Sequence, residues 1–214
     1  MSISIEQYLL FTSIVTLIVV SPGPNLFLLL HATPAYGRMK GFIMIMGFAA
    51  AILSHAFLAL VGVGAVIAAS ATLFTMIKFA GAIYLIWLGV KALKGIKAPP
   101  NVPTAPTFSR KISASGMFIK GYLTNILNPK PAVFYVAAFP QFLADAEGLF
   151  FATGALLGLT HALIAVLFYG GVVLVINKAT AFLERPAVSK VVKGISGTAL
   201  ILLGGRLLIA KAPN

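Results

Sequence analysis

Apolar residues dominate six long stretches of the chain, at about 8–33, 41–69, 72–92, 114–140, 148–176 and 191–210, and polar residues collect between them. Each stretch matches the roughly 20 residues that a helix needs to cross about 30 Å of hydrocarbon. None of the six shows the period-2 alternation of a half-buried strand, and an open sheet in lipid would leave backbone donors and acceptors unpaired. The pattern predicts an all-α integral membrane protein with six transmembrane helices.

The polar intervals differ in charge. Arg38 and Lys40 follow the first stretch, Lys91, Lys94, Lys97, Arg110 and Lys111 the third, and Lys178, Arg185, Lys190 and Lys193 the fifth. The interval near Ser70 carries no charge, and the one after the fourth stretch holds Asp145 and Glu147. Basic loops stay in the cytoplasm, so both termini are expected on the non-cytoplasmic side, with Arg206 and Lys211 weakly opposing that orientation. Glu6 stands where a secretory leader carries basic residues, and the apolar run continues past Pro24. The first span is therefore expected to be retained. Residues 95–112, with Pro99, Pro100, Pro103 and Pro106, read as a cytoplasmic linker between residues 1–94 and 113–214.

The two halves resemble each other. Pro22 and Pro24 match Pro129 and Pro131; Ser54-His55-Ala56 matches Thr160-His161-Ala162; Gly81 and Gly89 match Gly197 and Gly205. A unit of three spans is odd, so a second copy enters the membrane with the opposite orientation. Two inverted-topology three-helix repeats, a common transporter plan, are the expected arrangement.

Composition narrows the function further. Sixty per cent of the 214 residues are hydrophobic and only 9% charged, against about 25% charged in a soluble domain. The spans leave no segment for a separate soluble domain. The net charge of +12 lies in short loops, where it orients helices, so no nucleic-acid partner is expected. The chain has no cysteine, which excludes disulfides, thiolate metal sites and dithiol chemistry. No metal or other cofactor is expected. An enzyme would require a nucleophile–base pair or a metal cluster, whereas the spans offer only scattered Ser, His and Asn.

Two constellations carry the candidate chemistry. Ser21-Pro22-Gly23-Pro24-Asn25 lies well inside the first span, where two prolines remove two amide donors and free upstream carbonyls. Ser21 or Asn25 is a candidate cap for the new half-helix. Asn125-Ile126-Leu127-Asn128-Pro129-Lys130-Pro131 lies at the equivalent depth of the fourth span. One such break reads equally as a kink; two in corresponding positions point to a midplane binding site. The candidate binding residues are Ser21, Pro22, Gly23, Pro24, Asn25, Asn125, Asn128, Pro129, Lys130 and Pro131.

Lys130 replaces Gly23 when the repeats are aligned, and no acidic residue lies within a span to pair with it. A lysine near the bilayer centre costs roughly 2.5–3.5 kcal/mol, while each central Leu or Ile returns about 0.3–0.6. The span tolerates the charge, which either faces a cavity or snorkels. His55 and His161 occupy matched points of the second and fifth spans. They are candidates for hydrogen bonds between helices or for proton coupling, which Lys130 could share. Gly154 and Gly158 permit close helix contact, Tyr84 and Trp87 suit an interfacial belt, and His31 sits near the end of the first span.

These two motifs, followed by Phe134 and Phe139-Pro140-Gln141-Phe142, closely resemble the signatures of the lysine exporter family, in particular its homoserine/threonine exporter branch (LysE/RhtB type). The resemblance covers essentially the whole chain; Pro131 departs from it, standing where many relatives carry a small residue. It implies a multi-pass protein of the bacterial inner membrane that exports amino acids, thought to use the proton gradient. An alternating site between the breaks would receive a zwitterion, its carboxylate on Lys130 and its ammonium on freed carbonyls. Without an acidic countercharge in the spans, neutral homoserine- or threonine-like substrates are expected over lysine. A passive channel and a non-transporting membrane subunit remain the alternatives, and homo-oligomerisation is left open.

Overall fold

The computed structural model describes residues 3–69, 71–95, 112–143, 149–176 and 185–209, and these residues are helical apart from short breaks and turns. The expected linker lies almost entirely outside the described residues, as do Asp145 and Glu147. Helix α1 runs Ile5–Val20 and α2 Pro24–Tyr36; α3 follows at Arg38–Ala69 and α4 at Ala71–Lys94. Beyond the linker come α5, Ala114–Ile126, and the five-residue α6, Pro129–Val133. A π-helical turn at Phe134–Ala138 and a 3₁₀ turn at Phe139–Phe142 continue this segment, before α7 at Phe150–Leu174 and α8 at Pro186–Ile209.

Local chemistry sets the ends of these helices. Ser4 begins α1 with a reciprocal cap, its hydroxyl accepting from the Gln7 amide (3.1 Å) while the Gln7 side chain accepts from the Ser4 amide (3.3 Å). Gly37 ends α2 at φ 87°, a left-handed conformation that only glycine adopts without strain, and α3 starts at the next residue. Pro140 has no N–H to offer the carbonyl one turn upstream. The turn before it widens instead, and the Phe139 amide donates to Phe134, five residues back.

The outer surface is apolar as that of a soluble protein is not, and a few polar side chains lie within the largely apolar core. Phe57, Leu58, Leu163 and Leu167 are among many large apolar side chains that face outward. Ser21, Asn25, His55, Asn125, Asn128 and His161 are buried. A helix apolar all round its outer face has lipid as its matching solvent. Residues 38–62 of α3 and the whole of α7 are each long and apolar enough to cross a membrane, and α1–α2, bent by 51°, qualifies as a third crossing when taken as one broken span. By contrast, α4 carries Lys78, Lys91 and Lys94, α8 carries Lys190, Lys193 and Arg206, and α5 stops after 13 residues.

Glycines allow the main pairings of α4 with α8 and of α3 with both α5 and α7. A Cβ on Gly47 of α3 would collide with the Phe118 carbonyl of α5, and one on Gly121 of α5 with the Met44 carbonyl of α3. Gly154 and Gly158 of α7 likewise lie against Leu60 and Ala56 of α3. Gly89 faces the backbone of Gly197 between α4 and α8. At the other end of the core, Phe11 of α1 meets Phe134, Phe139 and Phe142 at ring separations of 5.8, 6.2 and 5.3 Å. Those aromatics fasten the π and 3₁₀ turns onto α1. On the outer face, Tyr84 packs on Trp87 at 5.4 Å, and the Lys91 ammonium lies 5.0 Å from the Trp87 ring.

Gly47→Ala and Gly121→Ala should each lower stability by about 1–3 kcal/mol through overpacking. Gly171 of α7 has nothing within 4 Å of a would-be Cβ, so Gly171→Ala should be neutral or stabilising by up to about 1 kcal/mol. Thermal unfolding of the purified variants in detergent measures both signs.

Candidate functional site

The breaks end and restart their helices by different means. Pro22 and Pro24 lack the amides that would continue α1, so the helix stops at Val20 and restarts with Pro24 at its first position. Gly23 occupies the cap position with no side-chain hydrogen bond. Neither Ser21 nor Asn25, the expected candidates, caps α2; the Ser21 hydroxyl faces Lys130 instead. In the second break Asn128 is the cap, accepting from the Lys130 amide at 3.1 Å, and Pro129 is the first residue of α6. Aligned by helix start, Pro24 corresponds to Pro129 and Asn25 to Lys130, a register two residues away from the one that superposes both proline pairs.

Carbonyls released by the first break have partners from distant helices. Tyr169 of α7 donates its hydroxyl to the Val19 carbonyl at 3.2 Å. Lys130 crosses from the second break, and its ammonium donates to the Pro22 carbonyl (2.6 Å), the Ser21 hydroxyl (2.8 Å) and the Ser21 carbonyl (3.3 Å). The lysine therefore turns inward rather than snorkelling. No carboxylate is involved: three oxygens receive the three donors of one ammonium.

Between the breaks lies a cavity with about 20 Å³ of space for the centre of a water-sized sphere, enough for roughly one water. Ser21, Gly23 and Asn25 line it from the first break. Asn125, Asn128, Lys130 and Pro131 do so from the second, joined by His161 and Tyr169 of α7 and Ile52 of α3. Asn25 Oδ1 and Asn125 Oδ1 are buried without a hydrogen-bond partner in the protein, two free acceptors on residues that line one small space. Pro22, Pro24 and Pro129 shape the cavity through the backbone without lining it.

His55 stands just outside the lining. Its Nε2 donates to the Asn125 carbonyl at 3.5 Å. Tyr135 of the π turn joins the two histidines: it is stacked with His55 at 5.8 Å and with His161 at 5.7 Å, and its hydroxyl is hydrogen-bonded to His161 Nδ1 at 3.0 Å. The matched hydroxyls beside the histidines are also engaged, Ser54 with Tyr122 (3.2 Å) and Thr160 with Tyr8 (3.0 Å). His31 lies apart and donates to the Phe27 carbonyl of its own helix at 2.7 Å. Among the described residues no cluster of three His, Cys, Asp or Glu side chains could hold a metal ion.

Three residues escape the sequence reading. Tyr169 lies two turns beyond His161 on α7, a spacing that marks one helical face. Tyr135 sits inside the fourth-span motif, with only its phenol to distinguish it from apolar neighbours. Lys78 lies in the interior of the third apolar stretch, buried to 4% exposure, with its ammonium 5.2 Å from the Phe79 ring.

An all-helical protein with apolar flanks and a polar cavity between two interrupted helices has the construction of a small-solute translocator. The chain belongs to the LysE type translocator family, whose model matches residues 16–211. It is similar to an uncharacterized membrane protein of Bacillus subtilis, YrhP, with 33% identity over 208 residues, 93% of this chain and 97% of that one. The threonine efflux protein of Escherichia coli K12 is 32% identical over 60% of this chain and 62% of its own. The homoserine/homoserine lactone efflux protein of Salmonella typhi is 28% identical over 92% and 93%, respectively. No solved structure matches the chain.

Asn128→Ala should cost about 1 kcal/mol through loss of the α6 cap, and Asn128→Ser, which restores an oxygen acceptor, should recover most of it. Equal melting temperatures for Asn128→Ala and the native chain would show that this cap contributes nothing to stability.

Proposed function

We propose that the chain is a secondary transporter of the bacterial inner membrane that exports small neutral amino acids of the homoserine and threonine kind. The observation that carries this reading is the meeting of both helix breaks in one buried polar cavity. Their freed carbonyls and the Lys130 ammonium are complementary to the two charged ends of a zwitterion. The names of the efflux relatives point to the same substrates. Export moves the solute unchanged, so no catalytic residue is assigned. The lining includes one cation and no carboxylate, which disfavours a substrate with a second positive charge.

Six spans in two inverted repeats are the architecture we infer. Two pairings support it, α3 with α7 and α4 with α8, each joining elements at the same place in the two halves. The contacts of α3 with α5 and of α1 with α7 are exchanged by the same relation. In this arrangement both termini face away from the cytoplasm. The cavity accommodates about one water rather than an amino acid, so transport requires the halves to rock apart on one side at a time. The candidates for proton coupling are Lys130, His55 and His161, with Tyr135 stacked between the two histidines, because the one carboxylate in the described helices, Glu6, lies in the first turn of α1.

Efflux of labelled amino acids from loaded proteoliposomes, with and without a pH gradient, tests the assignment. Gradient-driven concentrative efflux of threonine or homoserine is expected, reduced at least tenfold in Lys130→Ala that inserts normally. Leakage independent of the gradient would make the protein a passive channel, and lysine moving as well as threonine would overturn the neutral preference. For coupling, His161→Gln should retain threonine exchange between the two sides while losing its response to the gradient. An unchanged response would remove His161 from the proton path.

A further inference from the structure

We propose that the Ser21 and Pro22 carbonyls, together with the Ser21 hydroxyl, form a receptor for a primary ammonium group. Lys130 fills this receptor in the closed conformation, and the amino group of a transported solute takes it over by displacing the lysine. The proposal rests on the exporter reading and specifies the chemistry that its site recognises.

Three observations support it. The receptor is matched in number, with three oxygens at 2.6, 2.8 and 3.3 Å from one nitrogen that has three hydrogens to give. Its shape is matched too. Gly23 is extended at φ −174°, ψ −174°, a conformation open to any residue, yet a Cβ there would lie 3.0 Å from the Lys130 nitrogen and 3.4 Å from its terminal carbon. A side chain at this position would therefore press on the ammonium and shift it by a few tenths of an ångström, whereas glycine leaves the seat clear. Finally, Lys130 is held by nothing irreplaceable: its partners are neutral oxygens, and an incoming –NH₃⁺ restores each hydrogen bond that the lysine gives up.

Exchange also keeps the charge of the cavity manageable. A zwitterion brings its own carboxylate to the displaced Lys130, whereas a bare amine would add a second uncompensated cation. A quaternary ammonium has no N–H to donate and fails at the receptor itself. Selection therefore acts on the hydrogens of the ammonium as well as on its charge. The tether gives Lys130 a high effective concentration, so a free amine competes poorly until the lysine is removed.

Lys130→Ala lacks the three carbons and nitrogen of n-propylammonium, which makes that ion the matching probe. The purified full-length variant should melt about 2–4 °C higher at saturating n-propylammonium chloride than at equal tetramethylammonium chloride. The native chain should show no difference between the two salts. Lys130→Met, whose side chain stops one atom short, provides a second variant if Lys130→Ala does not fold, with ammonium chloride as its probe. Equal melting in the two salts for the variant, or an equal response from the native chain, would overturn the receptor. The salts test the receptor without transport, so a chain that binds them but exports nothing would refute the exporter reading alone.

Discussion

Backbone polar groups cannot be left unpaired in hydrocarbon, and everything particular to this chain follows from its breaking that continuity twice. Intact helices satisfy themselves; α1 and α5 do not, because prolines interrupt their amide ladders. The resulting groups have partners from far along the chain: Tyr169 for the Val19 carbonyl, Lys130 for those of Ser21 and Pro22. In lipid such contacts are structural requirements before they are recognition elements. In the proposed function the same carbonyls that need a donor for stability receive the ammonium of a solute, so that fold and site would share one set of atoms.

Close packing makes that arrangement possible. Glycines at the α3–α5 and α4–α8 contacts let backbone carbonyls approach the facing α-carbons, and those of α7 make room for Leu60 and Ala56 of α3, the way membrane helices associate when burial of apolar surface offers little advantage. Phe11 and the aromatics of the π and 3₁₀ turns hold the other side. The cavity is thus framed by close contacts, while the five-residue α6 that lines one side of it runs on into the π and 3₁₀ turns, the least regular of the described helical segments.

Hydropathy revealed the helices well. Five of the six apolar stretches coincide within a few residues with α1–α2, α3, α4, α7 and α8, and the sixth contains the segmented α5–α6 run. Paired prolines located both interruptions, because proline acts through its own missing amide and needs no tertiary context. Capping was less legible: Asn128 caps, but Ser21 and Asn25 do not, since Lys130 claims the serine from 109 residues away. Tyr135, Tyr169 and Lys78 were hidden in apolar runs, where a phenol or a single cation barely alters the pattern. Their partners are fixed by packing between helices, which local spacing does not encode.

The reach of Lys130 across the sequence has a further consequence for biogenesis. Ser21 and Pro22 emerge from the ribosome more than 100 residues ahead of the side chain that satisfies them, an interval of about 5–20 s at ordinary rates of synthesis. Through that interval α1 to α4 are made before α6 supplies the ammonium that those oxygens accept. Val19 waits longer still, for Tyr169 of α7, so the first break gains its full set of partners only when most of the second half has been made.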